Sequence, residues 1–261
     1  MTKDDKDSSE YLQRKAFFRR LLTVYGRKPV LEALQTPGVK PYRLHLADSN
    51  KPADLLNQIT ELAQQHNAEL VYHSRQELAR ISKNSKQDQG VCVDLHCPKF
   101  QDADDFLTEN KQRPFELLAL DGITNPQNLG MIIRSATAGF IDGILLPEKG
   151  GAQIDPLVIK ASAGSVFKAT ILRCPSLPQT LRAYQTAGAC IYRLAGDGQS
   201  LNADLELSEQ RIWVLGNETN GVSREVSSLA DKSLAIPMNN GVESLNVAVT
   251  AALLCFRRLF V

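Results

Sequence analysis

The chain has 261 residues, 43% hydrophobic and 23% charged, with a formal net charge of +1. That balance predicts a soluble globular protein with a proper core, and it argues against an indiscriminate polyanion binder while leaving room for a local basic patch. No apolar run approaches the roughly 18 residues of a membrane span, and MTKDDKDSSEYLQRK lacks the apolar region of a secretory signal, so a cytoplasmic protein without a membrane partner is expected.

In chain order, residues 1–20 read as a flexible basic N-terminus. Over 11–28, Arg14, Lys15, Arg19, Arg20, Arg27 and Lys28 occur without an acid, interleaved with Tyr11, Phe17, Phe18 and Tyr25. This is either a solvated face or an RNA contact, with cations on phosphates and aromatics stacked on bases. Residues 21–97 read as a small α/β unit: helices at 30–34, 53–67 and 75–82, and strands at 43–47, 69–73 and 90–95. Residues 98–114, rich in charge and bounded by prolines, read as a linker. From 115 to 261, strands at 115–121, 142–147, 168–174, 190–195, 211–216 and 233–238 are interspersed with helices at 128–140, 155–166, 177–188, 223–230 and 242–259. Such a pattern predicts a mainly parallel α/β sheet with its ligands beyond the carboxyl ends of the strands.

Several chemistries are excluded. The five cysteines include no CxxC pair, so neither a disulfide framework nor a structural zinc site is expected. Cys92, His96 and Cys97 are close in sequence but lack a second ligand pair, and no metal is assigned to them. GNETNGVS (216–223) has the glycine spacing of a phosphate loop, but Val222 stands where its lysine should be. GDG (196–198) reads as a turn, no GxGxxG follows a strand, and no GxSxG occurs.

Three polar segments remain, each just after a strand: DGITNPQNLGMIIRSA (121–136), LGNETNGVS (215–223) and IPMNNGVESLNVAV (236–249). Asn128 has an ordinary reading as a helix N-cap. Arg134, on an otherwise apolar helix, calls for an acidic or phosphate partner, with Glu218 the first candidate. Helical spacing puts Gly130 and Arg134 on one face. Glu218 has the alternative reading of an exposed loop acid. Glu243, Ser244 and Asn246 cluster at the mouth of an apolar helix, more side chains than capping alone requires.

The three segments together resemble the motifs of the SpoU (TrmH) family of S-adenosylmethionine-dependent RNA ribose 2′-O-methyltransferases. VYGRKPVLEAL (24–34) is similar to the start of the ribosomal-protein-like RNA-binding domain that precedes the catalytic domain in some members. The resemblance implies a trefoil-knotted parallel-sheet domain over 115–261, a departure from the usual absence of knots, and a homodimer with the active site near the subunit interface. It implies that Gly216, Ile236, Met238 and Leu245 hold the cofactor, with Gly216 letting backbone approach it. It implies catalytic-motif roles for Asn128, Arg134, Glu218, Ser244 and Asn246. A guanidinium is a poor base, so Arg134 is read as stabilising the forming alkoxide. The expected substrate is a ribose, guanosine preferred, in structured RNA. Large-subunit (23S) ribosomal RNA is favoured over transfer RNA, and neither DNA nor a metal is expected. The alternatives are a transfer-RNA ribose methyltransferase and a non-catalytic RNA-binding or ribosome-assembly protein on the same fold. The sequence departs from the commoner pattern at Asn125, Thr219 and Asp88, where Asp, Gly and His are frequent.

Overall fold

A computed structural model describes residues 14, 17–201 and 207–259. The chain divides into two compact units, Met1–Pro98 and Lys99–Val261.

The first unit carries a four-stranded sheet of order β1-β4-β2-β3, formed by β1 (Leu21–Tyr25), β2 (Pro41–Ala47), β3 (Glu69–His73) and β4 (Val91–His96). β4 runs antiparallel to β1 and β2, and β3 parallel to β2. Alternation sends Val24, Leu44, Leu46, Val91, Val93 and Leu95 to one buried face. Helices α1 (Arg27–Gln35) and α2 (Asp54–Gln65) pack with this sheet, using Val30, Ala33, Leu34 and Ile59. Helix α3 (Arg75–Ser82) opens with a capping box, in which the Ser74 hydroxyl accepts from the Glu77 amide and Glu77 accepts from the Ser74 amide. It covers one end of the opposite face, where Leu78 meets Ala47 and Cys92. Cys92 and Cys97 are buried, and burial pushes the Cys92 thiol up to about 12. Among the described residues no cluster of three or more His, Cys, Asp or Glu could hold a metal ion.

Of the N-terminus expected to be flexible over 1–20, residues 1–13, 15 and 16 lie outside the described residues, whereas 17–19 are helical. Phe17 explains this, packing edge-on to Tyr42 at 4.9 Å and stacking on His96 at 6.0 Å between centroids.

The second unit is a seven-stranded sheet of order β11-β9-β10-β6-β7-β8-β5, with every pairing parallel. Its strands are β5 (Phe100–Asp102), β6 (Phe115–Asp121), β7 (Gly143–Pro147), β8 (Ile171–Cys174), β9 (Cys190–Ser200), β10 (Gln210–Gly216) and β11 (Lys232–Ala235). Leu117 and Ala119 face a core shared with α4 (Ala103–Asn110), α7 (Leu177–Thr186) and α8 (Arg224–Ser227). Leu118 and Leu120 point the other way. Helix α5 (Pro126–Ala138) packs between α6 (Pro156–Ala161) and α9 (Val247–Cys255). Both faces of the parallel sheet are therefore covered, as its continuous apolar strands require.

Four expectations need correction. The linker placed at 98–114 is built structure: β5 pairs with β8, and Phe106 and Ala103 enter the core. The charges that suggested a linker occupy the outer side of a short amphipathic helix. The helix expected over 155–166 ends at Ala161, because Ala163 (φ 49°) and Gly164 (φ 74°) are left-handed. The last helix begins at Val247, not 242, because Asn246 (ψ 138°) is its non-helical N-cap, its side chain accepting from the Ala248 amide. The strand expected at 190–195 runs on to Ser200.

At the amino-terminal end of β6, Glu116 is 2% exposed and binds three donors: Arg211 Nη2 at 2.8 Å, Trp213 Nε1 at 2.7 Å and Arg258 Nη2 at 2.8 Å. Burial works to raise its pKa, but the bonds from Arg211, Trp213 and Arg258 outweigh it and hold the carboxyl below its ordinary 4.5. The stabilisation is therefore present above the unfolded carboxyl pKa and disappears as pH falls through the folded one. We predict that Glu116→Gln costs about 3–5 kcal/mol, because it strands the Arg211 charge, and that it flattens the acid limb of stability against pH. Denaturant melts from pH 7 to pH 3 check both; an unchanged midpoint at pH 7 contradicts the prediction.

Candidate active site

The loops after β6, β10 and β11 meet at the carboxyl ends of their strands. A cavity of about 460 Å³ opens there. Gly216 and Glu218 line it from the β10 loop, and Ile236, Met238, Ser244 and Leu245 from the segment after β11. All four expected cofactor residues thus border one space. Its remaining wall was not anticipated. β9 and β11 pair at Arg193–Ser233 and then at Gln199–Leu234, so residues 194–198 bulge out of the ladder. Leu194, Ala195 and Gly196 of this bulge line the cavity, and Arg193 Nη2 to Asp197 Oδ1, 3.0 Å, ties the bulge to its strand. The signal was present in GDG, since glycines inside a strand pattern mark a bulge as readily as a turn.

Gly216 lines the cavity through its backbone, and the side where a Cβ would stand is filled by the chain itself. A Cβ there would lie 2.1 Å from Gly221 C and 2.2 Å from Val222 N, so the space is taken by the returning loop itself. That loop is closed by Asn217 N to Gly221 O at 3.0 Å and Gly221 N to Asn217 O at 2.8 Å. The Asn217 side chain accepts from Thr219 N at 2.8 Å and donates to Gly122 O at 2.9 Å, joining the first two motifs. Thr219 contributes its backbone N–H and has no left-handed φ, so the loop has no need of glycine there.

Asn128 is buried, and it is not the N-cap. Asn125 caps α5, accepting from Gln127 N at 2.8 Å ahead of Pro126. Asn128 instead donates from Nδ2 to Glu218 Oε1 and accepts at Oδ1 from Asn246 Nδ2 at 3.1 Å. Asn246 is the N-cap of α9, its Oδ1 accepting from Ala248 N at 2.8 Å. The expected residues Asn128, Glu218 and Asn246 are thereby brought into one chain of hydrogen bonds. Ser244 and Leu245 precede that cap, exposed at the cavity edge.

Arg134 does not join them. It is exposed on α5 and pairs with no carboxylate among the described residues, so the expected ion pair with Glu218 is absent; the carboxylate is taken by Asn128. Gly130 is buried against Ala161 and Val158 while Arg134 faces outward, so the two do not share a surface. The exposed positions Gln127, Met131 and Arg134 form one stripe of α5, set by the two helices that cover its other sides.

The predicted RNA-binding cations belong to the first unit. Arg14 is exposed, its guanidinium carbon 6.0 Å from the Phe18 ring centroid. Lys15 lies outside the described residues. Arg20 and Lys28 are exposed, Arg19 is half-buried, and Arg27 is engaged by the Gln89 carbonyl at 3.2 Å. Asp88, where the family often has His, is 1% exposed and binds Arg75, Ser82 and Gly90 N, so its work is within the fold.

Residues 116–256 match the family model described as the SpoU rRNA methylase family. The chain belongs to that family. Residues 23–101 match a second model, described as RNA 2′-O ribose methyltransferase substrate binding. An uncharacterized tRNA/rRNA methyltransferase of Mycolicibacterium vanbaalenii is 31% identical over 230 residues, 87% of this chain and 73% of the relative. One from Mycobacterium tuberculosis is 32% identical over 231 residues, 88% of this chain and 71% of the relative. Among solved structures, a protein assigned to the TrmH family of RNA methyltransferases from Porphyromonas gingivalis superposes with a TM-score of 0.59 at 26% identity, covering 96% of this chain and 94% of its own. An AdoMet-bound rRNA methyltransferase from Sinorhizobium meliloti has a TM-score of 0.61 at 22% identity, covering 97% and 92%, a likeness of fold.

We predict that Gly216→Ala opens the β10 loop. Overpacking of this kind costs about 1–3 kcal/mol, so amide exchange at Asn217 and Gly221 should speed by on the order of tenfold or more. Unchanged protection at both amides contradicts the packing described.

Proposed function

We propose that this SpoU-family protein transfers a methyl group from S-adenosylmethionine to a ribose 2′-oxygen in structured RNA. The observation that carries the reading is the convergence of Gly216, Glu218, Ile236, Met238, Ser244 and Leu245 on one cavity. The cavity suits the cofactor: its walls are apolar at Leu194, Ile236, Met238 and Leu245, as an adenosine face requires, and acidic at Glu218 and Glu243, as a cationic ligand favours. When bound, the cofactor supplies a methyl group already activated by a sulfonium charge. The protein's part is to hold the ribose in line with it and to stabilise negative charge on the attacking oxygen. Glu218, fixed by Asn128, orients that region, and Ser244 offers a hydroxyl at its edge. The description of the first unit's family as substrate binding for 2′-O methylation supports the ribose over the base. We favour a guanosine of 23S ribosomal RNA, a cytoplasmic setting, and no DNA or membrane partner; among the described residues no helix is long and apolar enough to cross a membrane.

Arg134 needs a second subunit to act. Met131 on α5 and Val249 and Leu253 on the adjoining α9 are exposed apolar side chains near it. We take this face as the homodimer interface, which would deliver Arg134 to the partner's ribose. The trefoil threading of the family is part of the same reading.

Arg134→Ala should reduce single-turnover methylation of ribosomal RNA by on the order of 10²–10³, the worth of an oxyanion donor, with cofactor affinity unchanged. Arg134→Lys should recover part of it, since a point charge lacks the guanidinium fork. Mixing Arg134→Ala with a Leu245→Asp variant, which puts a charge in the apolar wall of the cavity, should restore activity, because one site then has an intact pocket and a partner arginine. Near wild-type rates in Arg134→Ala would remove the catalytic role; failure of the mixture alone would remove the cross-subunit assignment.

A further inference from the structure

Among the described residues, α3 packs on one end of the second face of the first unit's sheet, and Phe17 stacks on His96 of the same face. Alternation places Thr23 of β1, Asp94 of β4, Arg43 and His45 of β2 and His73 of β3 on this face. Four of these side chains make one line. Thr23 Oγ1 donates to Asp94 Oδ1 at 2.5 Å, His45 Nε2 lies 3.1 Å from Asp94 Oδ2, and His45 Nδ1 lies 2.9 Å from His73 Nε2. His45 is 4% exposed, and His73 forms the half-buried end of the line.

With His45 neutral, the order of bonds fixes the protons. Burial works to raise the Asp94 pKa, but the bonds from His45 and Thr23 prevail, so the group is an ionised carboxylate and accepts only. His45 Nε2 therefore carries a hydrogen. In a neutral His45 the Nδ1 atom is then an acceptor, and His73 Nε2 must donate to it. Burial, the largest cause, holds His73 below its ordinary 6.5 against the opposing pull of Glu77 and Asp48, so its neutral form prevails at pH 7. Its Nδ1 is left as a lone-pair acceptor, without a hydrogen-bond partner among the described residues. A histidine free to choose its tautomer would present either a donor or an acceptor; beside a neutral His45 this one presents an acceptor.

We propose that the His73 end of this line contacts RNA, with His73 Nδ1 accepting a hydrogen bond from a ribose 2′-hydroxyl or a base N–H, and with the half-buried Asp94 and buried His45 as positioning residues that set its tautomer. The inference deepens the substrate-binding reading of the first unit and rests on it. On β2 Arg43, paired with Glu69 at 2.6 Å, lies with its guanidinium carbon 5.0 Å from the centroid of the half-exposed Tyr42 ring.

The test uses the full chain and ribosomal RNA purified from bacterial ribosomes. His73→Ala should weaken binding about tenfold, the scale of one hydrogen bond, with the dependence of affinity on salt unchanged, because no phosphate-neutralising cation is removed. His73→Gln, which keeps an acceptor, should recover part of the loss. Nitrogen-15 spectra at pH 7 should show His73 protonated at Nε2, with the Nδ1 resonance moving on RNA addition; Asp94→Asn should mix the tautomers and weaken binding without touching RNA itself. If the wild type binds this RNA and His73→Ala binds it equally well, or if the Nδ1 resonance stays still, the inference is overturned while the RNA reading stands. If the wild type fails to bind, the substrate-binding reading falls and the inference with it.

Discussion

The carboxamide of Asn128 is what relates the three loops of the site. A carboxylate can only accept, so Glu218 fixes which end of Asn128 points at it: Nδ2 donates to Glu218 and Oδ1 turns to Asn246. Asn246 is oriented in turn by the Ala248 amide at the start of α9. Each donor has one acceptor, and neither Asn128 nor Asn246 can flip without breaking two bonds. Hydrogen bonds to charged groups contribute about 1.5–3 kcal/mol, more than neutral ones, and Asn128 is shielded from competing water. Three chain segments more than a hundred residues apart at their extremes are thereby registered at the edge of one sheet.

The parallel sheet makes that arrangement possible. β6 and β10 are neighbours, paired from Gln210–Phe115 to Gly216–Asp121, so their loops emerge side by side. β11 reaches them across β9, whose bulge turns Leu194–Gly196 into a wall of the cavity. Gly216 then allows the β10 loop to double back on itself, leaving Glu218 at the rim. At the other end of β6, Glu116 holds Arg211, Trp213 and Arg258, which fastens the segment after α9 to the strand that carries the first motif. Site loops are thus carried on elements that are clamped elsewhere, as a preorganised site requires.

Much of this was legible in the sequence. Alternating apolar strands and helices predicted a parallel sheet, and three polar segments after strands marked its ligand edge. The rest depended on contacts that no local pattern records. Asn128 and Asn125 both stand near the start of α5, and only the fold shows that Asn125 caps and Asn128 bridges. Arg134 looked buried because its neighbours Ile132 and Ile133 are, yet α6 and α9 cover the other sides of that helix and leave Arg134 outside. The charges of 98–114 hid two core residues, Ala103 and Phe106. The His45 line was invisible because its members come from four strands, in separated positions, that only register brings together.

A double-mutant cycle between Glu218 and Asn246, read on S-adenosylmethionine affinity by calorimetry, tests the bridge most directly. The two residues interact through Asn128, so Glu218→Gln, Asn246→Ala and the double variant should show a coupling of about 0.5–3 kcal/mol, and that coupling should vanish when the cycle is repeated in an Asn128→Ala background. Losses that add independently, with or without Asn128, would contradict the claim that one hydrogen-bonded chain assembles the site.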